Sequence, residues 1–414
     1  MKFVFLTNII SPHQMPLARE LVNLLGADEY RYVYTEAEEK ERTKLGWGNE
    51  GEDWCLHGDE NTAVLREADV LMSGVRAPNL FEKRAKDGKV TLYCSERWFK
   101  PPIGFLRVFV PSYFKMARRI VKLLNENENF YYLPMGIHAA RDMARICGLM
   151  NGDWKCLFRA PKLEFERKPG GRIWISEGVG SEGVRECVGK MRMWGYFVEE
   201  GRGMRDEGRG MVSDSSELRV GSLELNHGIH RIHGRKEFGS DGVGSEGVES
   251  EGVKVLWVGR LLKLKRVDTI IKAVGECSKS KKITLDIYGV GPEEAKLKKL
   301  AAKYGDKIKF YPPVPINEVR KLMREHDIYV LSSNGYEGWG AVVSEALEEG
   351  MAVIGTYEAG SSATILPESN LFHAGDWRKL KELLEGDVER VGIGPWTAKS
   401  AAEVLLTQRW GGVF

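Results

Sequence analysis

Glu337 and Glu345, with seven residues between them, and the cations Arg260 and Lys265 are the side chains whose types and spacing suit chemistry on a charged ligand. Arginine offers a planar fork of donors and lysine a mobile point charge, so together they could neutralise the charge that builds on a departing diphosphate. The plainer alternative for VGRLLKLKRVD, which holds both, is a solvated basic turn. The two carboxylates stand too far apart along the chain for a close acid/base dyad and suit different parts of one elongated ligand. Glycines surround both sets. Gly259 precedes Arg260, and in YGVGPEE Gly289 and Gly291 permit close backbone approach while Pro292 suits a first helical turn. Gly338, Trp339 and Gly340 follow Glu337, where a glycine-flanked backbone can aim N–H groups of a helix N-terminus at an anion. Glu345 then lies about two turns into that helix.

Strands must carry these loops. After Lys254 the chain alternates short apolar runs at 255–258, 284–288, 308–311, 328–331 and 352–355 with segments of helical period. Such alternation predicts a doubly wound parallel sheet, which binds ligands beyond the carboxyl ends of its strands. Residues 2–6, 31–34, 70–73, 90–94 and 130–133, with a helical pattern over 15–25, predict a similar unit nearer the N-terminus. Between them, 166–251 is crowded with Gly, Ser and Glu and carries GVGSEGV at 178–184 and at 242–248. That composition buries too little apolar surface to offset chain entropy, so we expect solvated, flexible insertions with one ordered element, the strand-like MRMWGYFVE at 191–199. The expected organisation is a first α/β unit over 1–165, a linker and the first strand of the second unit, with low-complexity insertions, over 166–253, the second unit over 254–385 and a helical segment over 386–414.

Bulk properties exclude several classes. The 414 residues predict more than one domain, and 61 basic against 59 acidic side chains give no nucleic-acid footprint. Six scattered cysteines without a C-x-x-C pair argue against a zinc knuckle and a disulfide framework, which fits a reducing, cytoplasmic compartment. The N-terminal MKFVFLTNIISPHQ reads as a buried strand, not a signal peptide, and no run reaches the roughly 20 apolar residues a span needs. No G-x-G-x-x-G follows the first strand of either unit, which disfavours a dinucleotide-dependent dehydrogenase.

Three motifs then fall in order. E-x7-E at Glu337 and Glu345, GRLLKLK at Gly259, Arg260, Leu261 and Lys265 (G-R-L-x-x-x-K), and YGVGP (G-x-G-P) together resemble the retaining GT-B glycosyltransferases, in particular glycosyltransferase family 4, the glycosyl transferases group 1. The resemblance spans about 255–356. It implies an α/β fold of two Rossmann-like domains facing a cleft, with the donor in the second and the acceptor against the first. Arg260 and Lys265 would hold the donor diphosphate, Glu337 would approach the donor sugar, and Glu345 would bind the ribose hydroxyls, as a carboxylate readily does. Gly259, Gly289, Gly338, Trp339 and Gly340 complete the implied donor-binding set. The donor is a nucleotide sugar, UDP- or GDP-linked, with no resident cofactor and no metal, since no D-x-D stands in a fitting place. Two positions depart from the pattern. Arg266 stands where the family commonly has glycine, and AGSSATIL at 359–366 replaces a loop that more often reads G-G-x-x-E-x-I, which leaves the sugar open.

On the acceptor side the resemblance puts TNIISPHQMP, 7–16, at the cleft, and His13 there is a candidate to bond an acceptor hydroxyl or act near the reacting centre. His138, just past a predicted strand, is a comparable candidate, with Arg141 and Asp142 on the same helical turn either orienting it or pairing on the surface. Glu96 in SERW is a third polar group at this rim. Residues 100–124 mix Arg107, Lys115, Arg118, Arg119 and Lys122 with Phe105, Phe109, Tyr113 and Phe114 and hold no acidic residue. Such a stretch suits peripheral contact with an anionic membrane, at its inner face and through 104–124, although a buried helix also has an apolar side. The expected function is transfer of a hexose-type sugar to a glycan, lipid-linked or small hydroxyl acceptor in glycan, polysaccharide or glycolipid synthesis. The alternatives are a donor-binding scaffold without turnover and a nucleotide-sugar epimerase on the same fold.

Overall fold

A computed structural model of the protein describes residues 1–36, 52–176, 181–198 and 252–410. Two six-stranded sheets organise it, and every strand pair in both is parallel. The first comprises β1 (Phe3–Thr7), β2 (Tyr30–Tyr34), β3 (Cys55–His57), β4 (Val70–Ser73), β5 (Val90–Ser95) and β6 (Phe130–Pro134), in the order β3-β2-β1-β4-β5-β6. Strands β7 (Leu163–Phe165) and β8 (Ile173–Ile175) form a separate antiparallel pair. The second sheet comprises β9 (Lys254–Val258), β10 (Thr284–Tyr288), β11 (Ile308–Tyr311), β12 (Ile328–Leu331), β13 (Ala352–Thr356) and β14 (Leu371–Phe372), in the equivalent order β11-β10-β9-β12-β13-β14.

The cause lies in the apolar runs. Every residue of β1, β4, β12 and β13 is buried, as strands covered by helices on both faces must be. Register follows: Phe3 lies opposite Tyr30 on one side and Val70 on the other, and Val255 lies opposite Leu285 and Ile328. The expected strands are present with ends displaced by one residue or less. β3 and β14 were not expected, because three half-polar residues and a two-residue pair carry no readable period.

The region around 166–198 is more ordered than its composition predicts. β8 and the helix Glu182–Gly189 join it, and the segment 191–198 makes single bridges in place of a regular strand. Met191 and Trp194 pair with Tyr132 and Met135 beside β6, and Val198 pairs with Thr397. Its buried Met191, Met193, Trp194 and Phe197 join the first unit's core, so tertiary burial overrides the glycine-rich context. The second GVGSEGV, residues 178–180 of the first copy, and Glu199 lie outside the described residues. Near the C-terminus the chain returns to the first unit. The helix Ala398–Thr407 packs on the helix Met15–Leu25, and Trp396, Leu405 and Trp410 are buried in the first unit's core.

Candidate active site

In each sheet the strand order reverses between its first and fourth strands, β1/β4 and β9/β12, which opens a crevice beyond their carboxyl ends. A cavity of about 660 Å³ lies between the units, lined by Thr7, His13 and Glu96 from the first and by Glu337, Gly340 and Ala341 from the second. This volume falls in the range usual for small-molecule sites.

The second unit's motif residues converge from separate loops. Past β9 and β10, Gly259 and Gly289 have φ of 150° and 151°, and a Cβ on Gly289 would overlap the Gly259 carbonyl oxygen, so only glycine fits. Arg260 is exposed and has no side-chain partner among the described residues. The 3-10 turn Lys263–Lys265 is pinned from β12's exit: Ser332 Oγ donates to the Lys265 carbonyl (2.6 Å) and Asn334 N to the Leu264 carbonyl (2.9 Å). Lys265 Nζ donates to the Glu337 carboxylate across the two loops. Arg266 is left-handed, φ 48°, which accounts for glycine as the common residue there, and its guanidinium pairs with Asp268 at 3.0 Å.

The loop after Glu337 differs in detail from expectation. Gly340 has φ 87°, so the helix starts only at Val342 and Glu345 sits in its first turn, not two turns in. Glu345 Oε1 lies 3.3 Å from His13 Nδ1, joining this helix of the second unit to the loop after β1. A Cβ on Gly338 would overlap the Glu96 carboxylate, so glycine lets that first-unit side chain lie against the loop. Trp339 contributes only backbone here: its indole is 1% exposed, packed against Gly195 and Trp396 in the first unit's core. The AGSSATIL loop forms the helix Gly360–Ile365, whose Gly360 and Ser361 N–H groups donate to the carbonyls of Gly338 and Trp339 (3.1 and 2.8 Å). Thr364 Oγ1 accepts from Ile137 N at 3.1 Å, so this altered loop braces the two units against each other.

On the first unit, His138 and Asp142 have other surroundings than the sequence suggests. His138 does not line the cavity; its Nε2 meets the Tyr357 carbonyl at the junction. Asp142 neither orients it nor pairs on the surface. It is 1% exposed, accepts from Phe99 N (2.9 Å) and pairs with Arg97 at 3.3 Å. Burial, aided by Arg97, pushes the His138 imidazole from 6.5 down to about 4. The folded site therefore refuses a proton that the unfolded chain accepts, and stability falls as pH drops from 6.5 to about 4. His138→Gln is expected to flatten the loss of melting temperature across that window, and an unchanged slope would assign the acid response to other groups.

Sequence reasoning missed Arg76, Arg97 and Tyr196 as lining residues. Arg97 was legible, since it directly follows Glu96 at the exit of β5. Tyr196 was not, because only the fold carries 191–198 between the units.

Two Rossmann-like sheets facing a cleft, with one topology repeated, constitute the GT-B fold. HepE from Anabaena, solved with UDP, shares it over 99% of this chain and 96% of its own (TM-score 0.54, 12% identity), as does the lipopolysaccharide outer core galactosyltransferase WaaB over 99% and 100% (TM-score 0.55, 11% identity). Residues 244–386 match the family described as glycosyl transferases group 1. An uncharacterized glycosyltransferase of Methanocaldococcus jannaschii is 32% identical over 120 residues, 28% of this chain and 31% of its own length. The match thus spans under a third of that curated relative.

Proposed function

We propose that this protein is a retaining glycosyltransferase of the family 4 type, moving a hexose-type sugar from a UDP- or GDP-sugar to a hydroxyl acceptor in glycan, polysaccharide or glycolipid synthesis. The observation that carries this reading is the Lys265–Glu337 pair at the cavity wall, with Arg260, unpartnered among the described residues, at the same sheet edge and Glu345 in the next helix. A diphosphate entering there takes Lys265 from Glu337, which frees the carboxylate for a sugar hydroxyl. Ribose hydroxyls likewise take Glu345 from His13, which turns His13 toward the acceptor. As the bond from the anomeric carbon to the diphosphate breaks, Arg260 and Lys265 stabilise the charge on the leaving oxygens. The acceptor oxygen bonds that carbon on the same face, and its proton passes to the leaving phosphate. No separate base is required, and His138 supports the junction. HepE has also been solved with UDP-glucose, which makes UDP-sugars the first donors to try.

A panel of nucleotide sugars incubated with the full chain, with nucleoside diphosphate release as the readout, tests the proposal. Glu345→Ala is expected to raise the donor KM about tenfold or more, since it removes charge-assisted hydrogen bonds. Binding without turnover across a broad acceptor panel favours the scaffold, interconversion of the donor favours an epimerase, and failure to bind any nucleotide sugar sinks the donor site.

For location we propose a reducing cytoplasm with peripheral contact at an anionic inner membrane face. Among the described residues no helix is long and apolar enough to cross a membrane. Ile103, Leu106, Phe109 and Phe114 are all exposed, from 38% to 60%, and Lys115 and Arg118 beside them have no ion-pair partner among the described residues. Apolar side chains flanked by free cations suit an anionic headgroup layer. Leu106→Asp with Phe109→Asp is expected to abolish sedimentation with phosphatidylserine vesicles; sedimentation equal to the unaltered protein would refute the contact.

A further inference from the structure

We propose that the acceptor carries a phosphate group, held by Arg76, Arg107 and the hydroxyl of Tyr93 on the first unit's side of the cavity. This rests on the glycosyl-transfer reading and adds to it the class of acceptor.

The argument begins with charge. The cavity is lined by Arg76, Arg97, Lys100 and Arg107 against Glu96 and Glu337. Arg97 is taken by Asp142, Lys100 by Glu96 at 2.6 Å, and Glu337 by Lys265. Arg76 and Arg107 are left, and neither has an ion-pair partner among the described residues. Both line this one cavity, and the charges of both act on the Tyr113 hydroxyl, which donates to the Trp98 carbonyl at 2.8 Å. Arg76 is also oriented, its guanidinium carbon 4.7 Å from the centre of the buried Trp98 ring.

A second observation points to the same place. Tyr93 lines the cavity and is 0% exposed, and its hydroxyl makes no hydrogen bond of good geometry among the described residues, although Ser95 and Arg76 lie near it. Burial raises its pKa and Arg76 opposes the rise, so a neutral donor stands beside an oriented cation. A buried hydroxyl without a partner is costly, and an anion bonded by it and two guanidiniums removes that cost. Phosphate fits this set: its oxygens can accept from both forks and the hydroxyl at once. The turn Gly104–Phe109 sets Arg107 in the cavity wall while Leu106 and Phe109 stay exposed, so the phosphate can arrive on a soluble sugar or on a lipid.

Binding to the full chain is measured in two arms, glucose 1-phosphate against methyl glucoside, and vesicles of phosphatidylcholine with and without phosphatidylinositol. A preference for the phosphorylated probe of about tenfold or more is expected in at least one arm. Arg76→Gln with Arg107→Gln should abolish that preference and Tyr93→Phe should weaken it severalfold. In the soluble arm, Lys115→Ala with Arg118→Ala, outside the cavity, and Lys265→Ala, on the donor side, should preserve it. The soluble arm responding identifies a sugar phosphate, the vesicle arm a lipid phosphate. No preference in either arm, or a preference that survives the double arginine replacement in a folded protein, overturns the proposal. Failure of the glycosyl-transfer reading is seen separately, as nucleotide sugars that neither bind nor release diphosphate.

Discussion

Lys265→Ala is expected to lower the rate of nucleoside diphosphate release about 10²–10³-fold, the usual loss when one preorganised charge-stabilising group is removed. The lysine sits on a turn fixed by Ser332 and Asn334, so its ammonium is held where β9 and β12 diverge. Alanine also leaves the partly buried Glu337 without its cation. That charge then faces the incoming diphosphate, so donor binding should weaken along with turnover. The fold should survive, because the backbone bonds of the turn do not involve the ammonium. Steady-state kinetics beside a melting curve separate the effects: normal turnover in a folded variant would remove Lys265 from the mechanism.

Asp142→Ala is expected to cost about 2–4 kcal/mol of stability, since removing one member of a buried ion pair strands the other. Two groups lose their acceptor, the Arg97 guanidinium and the Phe99 N–H. A drop in melting temperature of about 5–15 °C corresponds to that loss in a protein built of units this size. Asp142→Asn keeps an acceptor for Phe99 and should lose less. Arg97→Met combined with Asp142→Leu should recover much of the stability, since an apolar pair of similar volume strands nothing. A melting temperature within about 2 °C of the unaltered protein for Asp142→Ala would show the pair to be incidental.

Local pattern carried much of this architecture. Strands β4 and β12, buried on both faces, are nearly pure apolar runs, and the half-buried β10 and β11 still carry enough apolar residues between polar loops. All four were therefore readable to the residue, and YGVGP announced a backbone crossing that Gly289 permits. What the sequence hid was partnership at a distance. Trp339 stands between glycines in the donor motif, yet its indole belongs to the other unit's core because Gly195 leaves room for it. Asp142 and Arg97 are 45 positions apart, beyond any helical or strand period. Composition also misled at 166–190, where Gly and Ser conceal β8 and a helix.

The return of the C-terminal helix to the first unit has a consequence for the order of synthesis. Trp396, Ala401, Leu405 and Trp410 complete a core whose six strands are made by residue 134. On the order of 250 residues must emerge in between, roughly 10–50 s at the usual rate of translation. Throughout that interval the nascent first unit offers solvent the apolar flank of the Met15–Leu25 helix, which the helix Ala398–Thr407 later covers.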